Sequence, residues 1–209
     1  MTLVYLVRHG QTAWNKSEIF RGRVDVPLNE TGLKEAELAA EYFRGKIVDS
    51  IYTSPISRAM QTAERIAGVL GLRVLQHPGI TDMSFGDWEG RPIKEVAAND
   101  ADRLRLWQER PDLLKVPGGE TLAEVRTRAM AALEEVIQTH ADSTVIMVSH
   151  RVITKVLICA ILGLDNSHFW QIDQDATAIN LIRYKDGKYA LSFMNETCHL
   201  KPLMAGGMK

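Results

Sequence analysis

Short apolar runs alternate with longer amphipathic stretches along this chain, and that alternation admits few folds. The apolar runs at 3–7, 50–53, 72–75, 144–148, 178–183 and 189–194 have the length of buried strands. Between them, stretches 31–43, 56–70 and 122–138 place apolar residues at three- and four-residue intervals, the period of a helix that buries one face. Strands alternating with helices predict an α/β domain, a three-layer sandwich whose mostly parallel central sheet is flanked by helices. Thr121, followed three residues later by Glu124, forms a capping box just after the turn-forming Pro117-Gly118-Gly119, which starts a helix at 122. The 209 residues, 45% of them hydrophobic, suffice for one such domain spanning 1–209 with a full core. Segment 81–120 is less regular, with Gly86, Gly90, Pro92 and Pro111 around Trp88 and Trp107, and reads as a lid-like excursion over the top of the sheet. Residues 203–209 read as a loose tail.

A formal net charge of -1 provides no whole-protein field for a polyanion, so nucleic acid is not an expected partner and any anion site must be built locally. The most apolar stretch, 152–164, is interrupted by Thr154 and Lys155 and falls short of the ~20 residues a membrane span needs. It is expected as a core helix, and no membrane association is expected. The apolar start of the chain is too short for an export signal. Cys159 and Cys198 lack paired spacing, which suits reduced thiols in a cytoplasmic protein rather than a disulfide or metal framework. His77, His140, His168 and His199 have no ligand-like spacing either, and no GxxxxGK[ST] loop is present for a nucleotide.

The polar residues that follow the strands suggest chemistry. Arg8-His9-Gly10 follows the first strand directly, and Ser149-His150-Arg151 follows the one at 144–148. Ligands of open α/β sheets collect at the carboxyl ends of strands, where two neighbouring strands would bring both imidazoles together. A third strand leads through Thr53-Ser54-Pro55 to Arg58 in the first turn of a helix. The positive end of the helix dipole disfavours an arginine there unless an anion lies nearby. Arg8, His9, Arg58 and His150 together suit a phosphoryl dianion held by guanidinium forks. Histidine can be the nucleophile, since its reference pKa of ~6.5 leaves much of it neutral. The acid for the leaving group should be a carboxyl, and Asp82 and Glu89 in the irregular excursion are the candidates.

Several motifs occur in one order: Leu6-Val7-Arg8-His9-Gly10-Gln11-Thr12 with Trp14-Asn15, GRVDVPLNETG at 22–32, SPISRAMQTA at 54–63, FGDWEG at 85–90, PGGET at 117–121 and VSH at 148–150. This order resembles the histidine phosphatase superfamily, in particular the phosphoglycerate mutase-like branch with broad-specificity and α-ribazole phosphatases. The resemblance runs from residue 3 to about 164 and implies a phosphoglycerate mutase-like fold. It implies that His9 is the phosphorylated nucleophile, that Arg8 and Arg58 clamp the phosphate, and that His150 stabilises the transition state. Gly10, Asn15 and Gly22 are similar to positions around the phosphate pocket. Asp82 stands where this branch usually has the proton-donating glutamate, one methylene longer, and is preferred over Glu89, which lies beyond Trp88 where the chain is expected to turn away. Arg21 and Arg151 stand where relatives often have an uncharged residue and a glycine. Both add charge, and the expected consequence is a substrate with a second anionic group.

The expected function is metal-independent hydrolysis of a small phosphate ester through a phosphohistidine, with no cofactor. A cofactor-dependent phosphoglycerate mutase is the alternative, though the chain leaves little room between Gly90 and Thr121 for the walls such mutases generally add. A non-catalytic phosphate-binding regulator is the remote one. A symmetric homodimer is the default assembly.

Overall fold

The computed structural model describes residues 1–206. In chain order the elements are β1 (Thr2–Arg8), α1 (Ala13–Lys16), α2 (Glu30–Phe43), β2 (Ser50–Thr53), α3 (Ser57–Leu70), β3 (Val74–Gln76), α4 (Ile93–Asn99), α5 (Ala101–Glu109), α6 (Leu122–Thr139), β4 (Thr144–Ser149), α7 (Arg151–Ile161), β5 (Ile179–Lys185), β6 (Lys188–Glu196) and α8 (Lys201–Gly206). The strands form one six-stranded sheet in the order β3-β2-β4-β1-β5-β6. Its first four members run parallel, whereas β5 and β6 are antiparallel.

Side chains alternate across the two faces of each strand, and the two cores follow that period. Val4 and Leu6 of β1 and Val145 and Met147 of β4 pack with Val125, Leu133, Val136, Val156 and Leu157 of α6 and α7. Val7, Ile146 and Val148 point the other way, onto Phe43, Ala59, Ala63 and Ile66 of α2 and α3. These are the three layers. The α6 start is as expected: the Thr121 side chain accepts the Glu124 N–H, and the Glu124 carboxylate accepts the Thr121 N–H.

Three expectations differ from the structure. The third strand is Val74–Gln76 rather than 72–75. Gly71 ends α3 in the left-handed conformation, and the Leu72 N–H still bonds the Ala67 carbonyl, so the cap uses the residues that looked like strand. The excursion at 81–120 contains two helices, α4 and α5. They are too short and too polar to show a period, since α4 buries only Val96 and α5 only Leu104 and Trp107. The tail expected from 203 onward starts as part of α8, and residues 207–209 lie outside the described residues.

The excursion closes on itself at Gly86. A Cβ there would come 2.0 Å from the Pro117 oxygen, and φ is +53°, so only glycine lets the two ends of the excursion touch. Ring contacts of 4.8–5.3 Å among Phe20, Phe85, Trp88, Trp107, Phe169 and Trp170 join it to the loop after α1 and to the turn after α7. Among the described residues, no helix is long and apolar enough to cross a membrane.

Candidate active site

Parallel pairing of β1 with β4 sets Arg8 opposite Ser149, so the two residues that follow, His9 and His150, come off adjacent strand ends. Their rings stand 5.1 Å apart, edge to face. His9 is 1% exposed, and its Nδ1 lies 2.6 Å from the Gly10 carbonyl oxygen. A carbonyl only accepts, so Nδ1 holds the proton and Nε2 keeps its lone pair. The loop behind it is tied down at each residue. The Gly10 N–H donates to Thr62 Oγ1, the Gln11 N–H to the Glu35 carboxylate, and the Thr12 N–H to Asn15 Oδ1.

Arg8, Arg58 and His150 are 5%, 0% and 0% exposed. Arg8 donates to the Gln174 carbonyl at 2.5 Å, and Arg58 to the carbonyls of Val24 and Gly22 and to Asp82 Oδ2 at 3.0 Å. His150 Nε2 sits 2.7 Å from Ser54 Oγ. Each of the three keeps one buried nitrogen with no hydrogen-bond partner among the described residues: Arg8 Nε, Arg58 Nε and His150 Nδ1. An unmade buried bond costs about 1–3 kcal/mol, more for a charged group, so two unpartnered guanidinium N–H groups and an unpartnered imidazole nitrogen beside His9 are a costly arrangement unless an anion takes them up.

The electrostatics agree. Burial first, then the Arg58 guanidinium, holds both His9 and His150 well below the usual histidine value, so both imidazoles are neutral at pH 7. Arg8 is pulled down to about 9 by burial and by Arg151 and Arg21. An incoming dianion reverses each of these penalties.

A cavity of about 330 Å³ opens above His9, and its lining includes Trp14, Asn15, Arg21, Gly22, Asp82, Phe85, Trp107, Arg151 and Trp170. Arg8, Arg58 and His150 are not on that lining; they form the layer beneath it. Gly10 is also off the lining, with its N–H and carbonyl both used internally, so it shapes the loop and does not face the cavity. Asn15 spends its oxygen on Thr12 and has its amide nitrogen left. Gly22 has φ +51°, which favours glycine, and a Cβ there would displace the Glu89 carboxylate, whose Oε1 would lie 2.1 Å away.

That same Glu89 oxygen accepts from the N–H groups of Phe85 and Arg23, so Glu89 braces the excursion away from the cavity. Asp82 is on the lining. Its carboxylate lies 3.0 Å from Arg58 and 3.4 Å from His150 Nδ1.

Comparison with known proteins gives the family and the fold in which this strand-end histidine pair stands. The sequence profile of the histidine phosphatase superfamily, branch 1, matches residues 4–197. The chain belongs to this superfamily. It is 36% identical over 200 residues to phosphoserine phosphatase 1 of Hydrogenobacter thermophilus, covering 96% of this chain and 95% of that one. It is 34% identical to a probable phosphoglycerate mutase of Yersinia enterocolitica, over 78% of this chain and 76% of the other. Among solved structures, Bacillus stearothermophilus YhfR superposes with a TM-score of 0.93 at 28% identity, covering 96% of this chain and all (100%) of that one.

As a histidine phosphatase the chain has a further layer that no motif announces. Arg128 of α6 donates to the carbonyls of Gly79, Thr81 and Asp82, and both its fork nitrogens meet Glu120. Arg23 donates to the Asp82 carbonyl and also pairs with Glu120. The backbone of Asp82 is thus held by two guanidinium groups joined through one carboxylate. Ser54 and Gln174 were equally unannounced. Ser54 at least stands inside the SPISRAMQTA motif, whereas Gln174 contributes only a backbone oxygen.

Proposed function

We propose that this protein hydrolyses small phosphate monoesters through a phosphohistidine at His9 and needs no metal to do so. The observation that supports it is the neutral, tautomer-fixed His9 beside three buried nitrogens without hydrogen-bond partners, two of them guanidinium. In the first step the His9 Nε2 lone pair attacks phosphorus, the bond to the ester oxygen breaks, and Asp82 as a carboxylic acid gives that oxygen its proton. In the second, water attacks the phosphohistidine, Asp82 takes up the proton of the water, and the P–N bond breaks to release phosphate. Arg8, Arg58 and His150 hold the equatorial oxygens and supply the positive charge that a metal would otherwise bring. The dianion competes with Asp82 for Arg58, and that exchange frees the carboxyl to reach the leaving oxygen. Asp82 has the shorter side chain of the two acidic residues, and the struts from Arg128 and Arg23 to its backbone set its reach.

The phosphoserine phosphatase relative matches over nearly the whole chain, so O-phosphoserine is the first substrate to try. Phosphate release from a panel of monoesters, in chelator, is expected from the wild type and not from His9→Ala. Isomerisation of phosphoglycerate without phosphate release, on addition of a bisphosphorylated primer, would make the protein a mutase instead.

A further inference from the structure

Two arginines of the cavity have no part in holding the reacting phosphoryl group. Arg21 and Arg151 both line the space above His9, and among the described residues neither takes part in an ion pair. Arg21 Nε is buried and has no hydrogen-bond partner there. Arg151 opens α7, where the unbonded N–H groups already make the potential positive. Its guanidinium carbon stands 5.6 Å from the centre of the Trp170 ring. The same ring also has Lys155 Nζ at 4.6 Å, on a side chain only 3% exposed. Trp170 therefore serves two cations at once.

The charges of the site do not balance around one phosphoryl group. Arg8, Arg21, Arg58 and Arg151 converge on a cavity whose acidic lining residues are Asp82, already paired with Arg58, and the exposed Glu18 at the rim; beyond the lining, Asp175 also acts on Arg8. Burial and mutual repulsion depress Arg8, Arg21 and Lys155 to about 9, 10 and 8, the direction expected of cations short of an anion. A phosphoryl dianion over His9 answers Arg8 and Arg58. Arg21 and Arg151 are left over.

We infer that Arg21 and Arg151 form a second anion subsite, which takes a carboxylate or a second phosphate borne by the same small substrate. This rests on the phosphomonoester reading of the site. The cavity, about 330 Å³, is at the small end of ligand sites, so the second anion stands within a few bonds of the ester. Guanidinium forks suit either group, because both present paired oxygens. Trp170 fixes Arg151 by stacking, and Trp107 in turn supports Trp170 through the indole N–H bond to its carbonyl.

The test compares kcat/KM on O-phosphoserine and 3-phosphoglycerate, which bear a carboxylate, with glycerol phosphate and phosphoethanolamine, which bear no second anion. A propanediol bisphosphate is the phosphate arm. The expected result is a wild-type preference for the substrates that bear a second anionic group, with the preference ratio falling about 10- to 100-fold in Arg21→Gln and in Arg151→Gln. The arm that loses more, carboxylate or bisphosphate, names the native group. Where a glutamine variant fails to fold, inhibition of the wild type by a carboxyl-bearing phosphonate and by its neutral amide gives the same reading, the acid being the stronger inhibitor. An active enzyme with no preference for a second anion, or with a ratio unmoved by both substitutions, overturns this inference alone. No hydrolysis of any ester overturns the phosphomonoester reading and the inference with it.

Discussion

The floor and the roof of the cavity are made in different ways. Arg8, His9 and His150 leave the ends of β1 and β4, whose backbones are bonded to neighbours on both sides, and Arg58 leaves the first turn of α3 beside them. The roof, from Asp82 to Glu120, has few backbone bonds of its own across the gap, chiefly Asp87 N–H to Pro117 and Glu120 N–H to Ser84. Backbone bonds with the loop at 18–20 (Gly90 N–H to Phe20, Phe20 N–H to Arg91, Ile93 N–H to Glu18) and the ring contacts hold its middle. Near its two ends single charged side chains do the rest: Arg128 and Arg23 on the Asp82 carbonyl, Glu120 on the Ser84 N–H, Glu89 on the Phe85 N–H. A floor built from a sheet cannot shift by an ångström without breaking the ladder. A roof held by a handful of ion-assisted bonds can be adjusted residue by residue, and the departures of this chain, Asp82 together with Arg21 and Arg151, all face the space under it.

The largest effect should come from the floor. His9→Ala is expected to lower kcat by at least about 10⁴-fold while leaving the thermal midpoint nearly unchanged, measured by phosphate release and by loss of an acid-labile phosphoenzyme. Appreciable residual turnover would move the nucleophile away from the strand ends. On the roof, Asp82→Asn should cost about 10²- to 10³-fold on alkyl phosphates and much less on p-nitrophenyl phosphate, whose leaving group departs without a proton. Equal losses on both would mean that Asp82 acts only by holding Arg58.

Arg128→Met sharpens the contrast, because it touches neither substrate nor His9. It strips three backbone oxygens and Glu120 of their donor, and should destabilise by about 2 kcal/mol in urea unfolding while lowering kcat about tenfold. Unchanged kcat would show that the roof keeps its place without the strut.

The smallest effect is on pH dependence. His9 and His150 are held well below their unfolded value of ~6.5, so as pH falls below it the unfolded chain takes protons first and the free protein loses stability. The slope should reach about 1.4 kcal/mol per pH unit for each histidine. Thermal midpoints between pH 6.5 and 5 should fall less steeply in His9→Gln, and saturating inorganic phosphate should flatten the wild-type slope by favouring the imidazolium forms. A slope identical in wild type and variant would show that the floor is not short of negative charge.

What is local along the chain could be read from it. Apolar period located β1, β2, β4, β5, β6 and the helices α2, α3 and α6 to within a residue or two, because burial on one face imprints the same spacing wherever it occurs. The same holds for His9 and His150, since a residue just past a parallel strand has few places to go. The departures at Asp82, Arg21 and Arg151 are visible against the motifs as well. The short helices α4 and α5 were not, with too few buried positions to set a period. Nor was the exclusion of Gly10 from the cavity, which depends on Thr62, 52 positions away along the chain. The Arg128–Glu120–Arg23 strut, the packing of Arg151 and Lys155 against Trp170, and the lack of an ion pair for Arg21 and Arg151 among the described residues are of this second kind. Which charges find partners, and which wait for an anion, is a matter of distances between residues remote in the chain, and folding alone sets those distances.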